Sequence, residues 1–301
     1  MAMFRKTWYI AYINFRRWKS DLRVWLIFAF LGVFLIQEIK GLTEYGLETG
    51  TQCTAFLLPI LFHSTMISIG TMKMMLYLGC ILLLCDAPFV YKATPYMVLR
   101  SQRESWWMGE CLYIILTTFL YTAFITLVST LVVLPVATFG ESWGGVISAL
   151  RYGSEGVEGG ILAQQYGIYL IIPKNTLGYL YPAGAQMYTF LTVWVSFIVL
   201  GLLQYLVSLV SKSMFLGFAC TGVLVFLDPI LKTLSESSMF RWATRLSPVC
   251  WSSTEALEMV DDSKVLTIPY VVSMFAILIV VLLVAIHMVS RKIMIEVRGE
   301  V

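Results

Sequence analysis

The sequence predicts an all-α integral membrane protein with six transmembrane helices, and three observations lead there. Apolar residues fill 59% of the 301 positions and charged residues only 13%, where soluble domains hold about 45–50% and about 25%. The mean hydropathy is +0.81. The apolar residues also gather in runs close to the ~20 that cross a bilayer as a helix. Six such runs with modest loops leave no stretch for a folded soluble domain. A formal net charge of +3 is too small to argue for nucleic acid as a partner; in a membrane chain the placement of the cations is what matters.

The first element is an amphipathic helix over residues 1–20. Arg5, Lys6, Arg16, Arg17 and Lys19 surround Phe4, Trp8, Tyr12, Phe15 and Trp18, and steps of three or four put these aromatics on one helical face. Such a helix is expected to lie on the membrane surface. A secretory signal is the competing reading. No small-x-small cleavage pattern follows the apolar run Leu22 to Ile36, so the segment is expected to be retained.

Apolar runs then place spans at about Leu22 to Ile36, Met72 to Val90, Glu110 to Leu134, Met187 to Val210, Met214 to Leu231 and, after Pro269, Tyr270 to Val289. Cys53 to Val90 taken whole is too long for one straight span and too short for two with a loop. Cys53 to Ser68, with Pro59 inside it, therefore reads as an outer-side approach or broken extension of the second span. The cation bias supports this count. With the N-terminus in the cytoplasm, inner segments carry 13 of the 21 cations and six acids, leaving 8 cations and 12 acids elsewhere, as the positive-inside rule asks. A separate span at Cys53 to Ser68 would push Lys92, Arg100 and Arg103 outside. Both termini are then cytoplasmic.

Two long connections fall outside. Residues 135–186 hold ten of the 21 glycines, and their apolar patch Ile161 to Ile172 is too short to cross; a loop with one short helix or hairpin is expected. Residues 233–267 carry Arg241, Arg245, Glu255, Glu258, Asp261 and Asp262, broken at Ser247-Pro248, and suit short interfacial helices. The six cysteines form no CxxC pair. Most lie in apolar runs as small hydrophobes, and only Cys53 and Cys250 both fall outside, where pairing stays open. The histidines His63 and His287 are too isolated for a metal site.

No GxxxxGK[ST] loop, HExxH or GxSxG occurs, which argues against a self-contained ATPase, metalloprotease or lipase. Energy comes either from an ion gradient or from another chain. Gradient-driven carriers or channels place ionisable groups deep in their spans. Here Asp228, followed by Pro229, lies in the outer part of the fifth run, and reads either as a functional group beside a kink or as a boundary acid. Lys73 and Glu110 sit near expected span ends, where long side chains snorkel.

One constellation stands out. Asp86-Ala87-Pro88-Phe89 ends the second run, followed by Thr94-Pro95-Tyr96-Met97-Val98-Leu99-Arg100-Ser101-Gln102-Arg103 and Trp106-Trp107. Thr94 suits a cap and Pro95 a first helical position, so residues 91–107 hold a short cytoplasmic helix, and the two tryptophans mark the headgroup level. An ordinary amphipathic loop is the alternative.

In its order of parts the chain resembles the permease subunit of an ATP-binding-cassette exporter of the ABC-2 class. The stretch Asp86 to Phe89, then Leu99-Arg100-Ser101-Gln102-Arg103 and Trp107, is similar to bacterial permeases of peptide and bacteriocin exporters. The resemblance covers the architecture of nearly the whole chain, read as one permease domain, but the residue pattern only from about Asp86 to Tyr121. The outer loop 135–186 is longer than in the simplest members. The resemblance implies that Tyr96, Met97, Leu99, Arg100 and Arg103 form a coupling helix docking on a separate ABC ATPase, and that Phe4, Trp8, Phe15 and Trp18 belong to a connecting helix on the inner membrane surface. It implies two permease copies, or this chain and a paralogue, in a bacterial plasma membrane, with ATP and magnesium held by the partner and no cofactor on this chain. Asp86, Asp228 and Pro229 stand at span ends as possible gate residues. The cargo implied is amphipathic peptide, such as phenol-soluble modulins or antimicrobial peptides.

Overall fold

The structure is a computed structural model that describes residues 2–63, 71–89, 103–154, 158–235, 237–257 and 266–292. Its helices, in chain order, are α1 (Ala2–Arg17), α2 (Leu22–Thr49), α3 (Leu58–Leu61), α4 (Thr71–Leu83), α5 (Arg103–Val133), α6 (Gly144–Tyr152), α7 (Gly159–Gln165), α8 (Lys174–Tyr179), α9 (Pro182–Ser211), α10 (Met214–Ser235) and α11 (Ile268–Lys292). Five of them, α2, α5, α9, α10 and α11, are long and apolar enough to cross a membrane, so the chain is an all-α, multi-pass membrane protein. The fourth helix, of 13 residues, spans only ~20 Å at ~1.5 Å per residue, short of the ~30 Å hydrocarbon core.

Contacts fix the directions of these helices. Arg23 at the start of α2 meets Asp86 just beyond α4, Gly201 of α9 lies against Leu84 and Ile114, and the ring of His287 in α11 meets Trp107 in α5. Helices α2, α5 and α10 therefore run away from the end that bears α1, and α4, α9 and α11 run back towards it. That end, with Arg16, Arg17, Arg23, Arg103 and Arg291, is the basic end. At the centre Phe62, Tyr77, Tyr121 and Phe197 are fully buried. Their rings meet at 4.8 to 6.1 Å (Tyr77–Phe197, Tyr121–Phe197, Phe62–Tyr77), edge-on pairs worth about 0.5–1.5 kcal/mol each beyond burial.

Several expectations change. The first long helix does not stop near Ile36 but runs on to Thr49, closing on Gly50 at φ +66. The physical reason is periodicity: Leu35, Ile39, Leu42 and Tyr45 continue one buried stripe while Lys40, Glu44 and Glu48 stay exposed. The aromatics of α1 do not share one environment. Its packed stripe is Thr7, Ile10, Ala11 and Asn14, set against α5, whereas Phe4, Trp8 and Tyr12 are exposed and Phe15 and Trp18 pack inward. Gly109 permits that approach, because a Cβ there would lie 2.7 Å from Ile10 Cβ. Trp106 and Trp107 are buried within the bundle, not displayed at its edge.

The far end is more structured than a loop. Residues 135–186 hold three short helices, α6 to α8, and Ala137–Thr138 pairs in parallel with Cys53–Thr54. Within the segment expected as a broken extension, α3 and Phe62 are buried, and Leu58 N donates to Gln186 Oε1 at 3.0 Å. Before α11 the chain makes 3-10 turns at Ser238–Leu246, Cys250–Ser252 and Thr254–Ala256. Cys53 and Cys250 are buried, as are Cys80 and Cys111, and no disulfide joins Cys53 to Cys250.

Candidate functional site

Two polar clusters sit at opposite ends of the apolar bundle. At the far end, Lys73 in the first turn of α4 and Asp228 in the fourth turn of α10 are both almost fully buried, with Nζ and Oδ2 3.2 Å apart. The sequence reading places Lys73 near a span end, where it would snorkel, and leaves Asp228 as either a functional group beside a kink or a boundary acid. Instead they form a buried ion pair, because Ser238–Leu246 folds back over α10 and closes the end. Pro229 lies inside α10 and, as a residue without an N–H, interrupts the helical ladder beside the carboxylate.

The second oxygen of Asp228 accepts from Ser247 Oγ at 2.9 Å, and Ser247 Oγ accepts from Cys250 N at 3.1 Å. Tyr77, one turn along α4 from Lys73, brings its hydroxyl 3.0 Å from Ser196 Oγ and 2.9 Å from Ser252 Oγ. Ser196 Oγ donates to Pro248 O at 3.1 Å. Three helices thus converge on the turn 247–252. Trp251 from that turn is buried with its ring 5.0 Å from Phe275 of α11, and its Nε1 donates to Thr244 O at 3.2 Å.

At the basic end, Arg23 is held by two carboxylates. It pairs with Asp86 through both guanidinium nitrogens and with Asp21 Oδ2 at 2.9 Å, while Cys85 Sγ lies 2.9 Å from Nη1. Asp21 also caps α2, accepting from Arg23 N. A cleft of about 300 Å³ opens here between Asn14, Arg17, Trp18, Arg23, Phe89 and Tyr113. Behind it the buried Glu110 accepts from Asn14 Nδ2 at 2.5 Å, and Trp18 Nε1 donates to Tyr113 Oη at 2.9 Å. Glu110 was expected to snorkel at a span end; α1 covers it instead. On the same end Arg291 meets Glu104 at 3.3 Å, and Arg103 Nη1 donates to Arg291 O at 3.1 Å.

Tyr96, Met97, Leu99 and Arg100 lie outside the described residues. Arg103 is exposed at the start of α5. Asp86 is committed to Arg23, and Phe15 and Trp18 support Tyr113. The sequence reading missed Lys73 as the partner of Asp228, and missed Tyr77, Ser196, Ser247, Ser252 and Asn14. A lysine within the apolar stretch Cys53 to Val90 was the available signal, since an ionisable group inside a membrane segment calls for a partner.

Outside the spans, Tyr166 Oη donates to Glu48 Oε2 at 2.7 Å. That hydrogen bond to the carboxylate raises the phenol above its usual range. Burial pushes the Cys53 thiol up to about 12. No protein-family model, no curated protein and no solved structure matches the chain.

Proposed function

We propose that the chain is the membrane-spanning subunit of an ATP-driven exporter of amphipathic or hydrophobic cargo, probing the two sides of a bacterial plasma membrane by alternating access. In this reading six passes cross the bilayer, the second of them containing α4. The basic end faces the cytoplasm, a separate ABC ATPase binds there with its ATP and magnesium, and a second copy or a paralogue completes the pathway. Amphipathic peptide is the cargo class.

The observation that supports it is the girdle at the basic end. In sequence, positions 90–102 follow the Arg23–Asp86 pair that joins α2 to the end of α4 and precede the contacts that join α5 to α11 at Arg103, Glu104 and Arg291. Helix α1 packs across the start of α5. A push on this segment would therefore reach α2, α4, α5, α1 and α11 together, the rigid-body coupling that an exporter needs. Tyr96, Met97, Leu99, Arg100 and Arg103 are the docking residues, the two arginines meeting acids of the ATPase.

Purification from the native membrane in mild detergent tests this. A stoichiometric ATPase in the eluate is expected, and Arg100→Glu with Arg103→Glu should keep expression while uncoupling hydrolysis from transport. A chain that elutes alone and transports without ATP would end the exporter reading.

The buried Lys73–Asp228 pair favours a second reading, a gradient-driven carrier or channel, because intramembrane ion pairs mark proton and ion pathways. That reading expects transport without ATP, abolished by Asp228→Asn.

A further inference from the structure

The turn 247–252 is irregular backbone set among apolar helices, a position tolerated only where protein buries it or water lines it. Its polar groups are met by side chains from three different helices: Asp228 of α10 takes Ser247 Oγ, Ser196 of α9 donates to Pro248 O, and Tyr77 of α4 reaches Ser252 Oγ. A fourth helix, α11, receives Trp251 through Phe275. Among the described residues, no ladder of backbone hydrogen bonds ties the turn to any of them.

We propose that this turn is a releasable plug at the far end of the transport path and that Lys73 and Asp228 form its latch. Asp228 holds the plug with one oxygen and Lys73 with the other. When the plug withdraws, Asp228 loses only its bond from Ser247, and the carboxylate keeps its cation. That division matters because a buried charge left alone is costly, whereas a pair retained in both states leaves two arrangements close in energy. Buried ion pairs give little net stability over apolar packing of the same volume and are best attested as devices of register and switching. Tyr77 and Ser196 already lie 3.0 Å apart, so each keeps the other as a partner once Ser252 and Pro248 have left. The cargo emerges between the outer parts of α4, α9, α10 and α11. The latch rests on the exporter reading only for what drives its release.

Cys250 lies inside the plug and is fully buried, so it reports release directly. The full complex carries C53A, C80A, C85A, C111A and C220A, leaving Cys250 as its thiol. Membrane vesicles of both orientations receive a membrane-impermeant maleimide, at rest and after trapping with ATP, magnesium and vanadate. Labelling of Cys250 is expected to be at least tenfold faster in the trapped state and, at rest, faster in Asp228→Asn with unchanged elution of the complex. Should Asp228→Asn fail to assemble, Ser247→Ala removes the latch bond alone and carries the same expectation. Equal labelling in all states overturns the proposal. Acceleration in a variant without acceleration on trapping makes the pair a fixed tie and also overturns it. If no ATPase accompanies the chain, the exporter reading falls, and the driven arm uses an imposed proton gradient with the same two outcomes for the plug.

Discussion

Replacing Asp228 by Asn removes one charge from the far-end pair and weakens the bond from Ser247, because a neutral amide oxygen accepts less strongly than a carboxylate. The charges lie 3.2 Å apart with side chains 3% and 5% exposed. At an effective dielectric near 20 their gross attraction is roughly 5 kcal/mol, most of it needed to offset the desolvation of both ions. The single variants Asp228→Asn and Lys73→Met each strand one buried charge, so each is expected to cost about 3–5 kcal/mol. The double variant Lys73→Met with Asp228→Asn strands no charge and should cost less than either single change, so the two changes are coupled by more than about 3 kcal/mol. The exposed pair Arg291–Glu104 is a control at nearly the same distance, 3.3 Å, with side chains 64% and 51% exposed. Solvent screening there keeps the expected cost under ~1 kcal/mol. Unfolding in mixed micelles, followed by the fluorescence of the nine tryptophans, measures all four variants on one scale. If the far-end single changes cost no more than the Arg291–Glu104 control and add without coupling, then the pair is hydrated and the picture of a closed far end is wrong.

Gly109→Leu should lift α1 from α5, since even a Cβ meets Ile10 at 2.7 Å; faster proteolysis before residue 20, with α5 still protected, is the readout. Trp251→Ala empties a fully packed site between the turn and α11 and should cost about 3–5 kcal/mol, read in the same micelle assay. The Cys53 thiol, pushed up to about 12 by burial, holds its proton more tightly in the folded state than in the unfolded one. Its contribution to stability is therefore complete below the ordinary thiol range and lost as pH rises towards 12. Maleimide at pH 8 should leave Cys53 untouched until the chain unfolds.

The membrane character of the chain was legible because composition and run length register directly in a long apolar helix: five of the six expected spans are such helices. Their ends were less legible. The run rule closed the first span at Ile36, and only the 3.6-residue stripe through Ile39, Leu42 and Tyr45 reveals that the helix goes on. In α1 the aromatic stripe was assigned to the membrane as a whole, whereas Phe4, Trp8 and Tyr12 are exposed and Phe15 and Trp18 pack inward. Small residues decide which side packs: Gly109 and Ala11 let the Thr7–Asn14 side approach α5, roughly a quarter turn from Phe4 and Trp8. The far-end cluster was the least legible because its bonded members are 19 to 175 residues apart, from Asp228–Ser247 to Tyr77–Ser252, and hydroxyl side chains scattered through apolar runs carry no pattern of their own. Asp228 itself was singled out, yet a lone acid gives no sign of its partner.

The two ends of the bundle hold their polar groups in different ways, and this bears on which of them is built to move. At the basic end, Arg23 has three polar neighbours in Asp21, Asp86 and Cys85, and the outermost pair, Arg291–Glu104, is hydrated. Pairs of that kind exchange partners at small cost, so this end can transmit a displacement without a large barrier. At the far end each hydrogen bond is buried, and the groups that hold the turn 247–252 come from separate helices. Relative displacement of α4 against α10 changes the environment of both Lys73 and Asp228 at once. A rocking motion that enters beside Asp86 at one end of α4 would arrive beside Lys73 at the other, over only 13 residues. The shortness of α4 thereby links the two polar clusters through a single rigid element, which makes Lys73 and Asp86 the pair of positions whose substitutions should interact energetically despite lying at opposite ends of the helix.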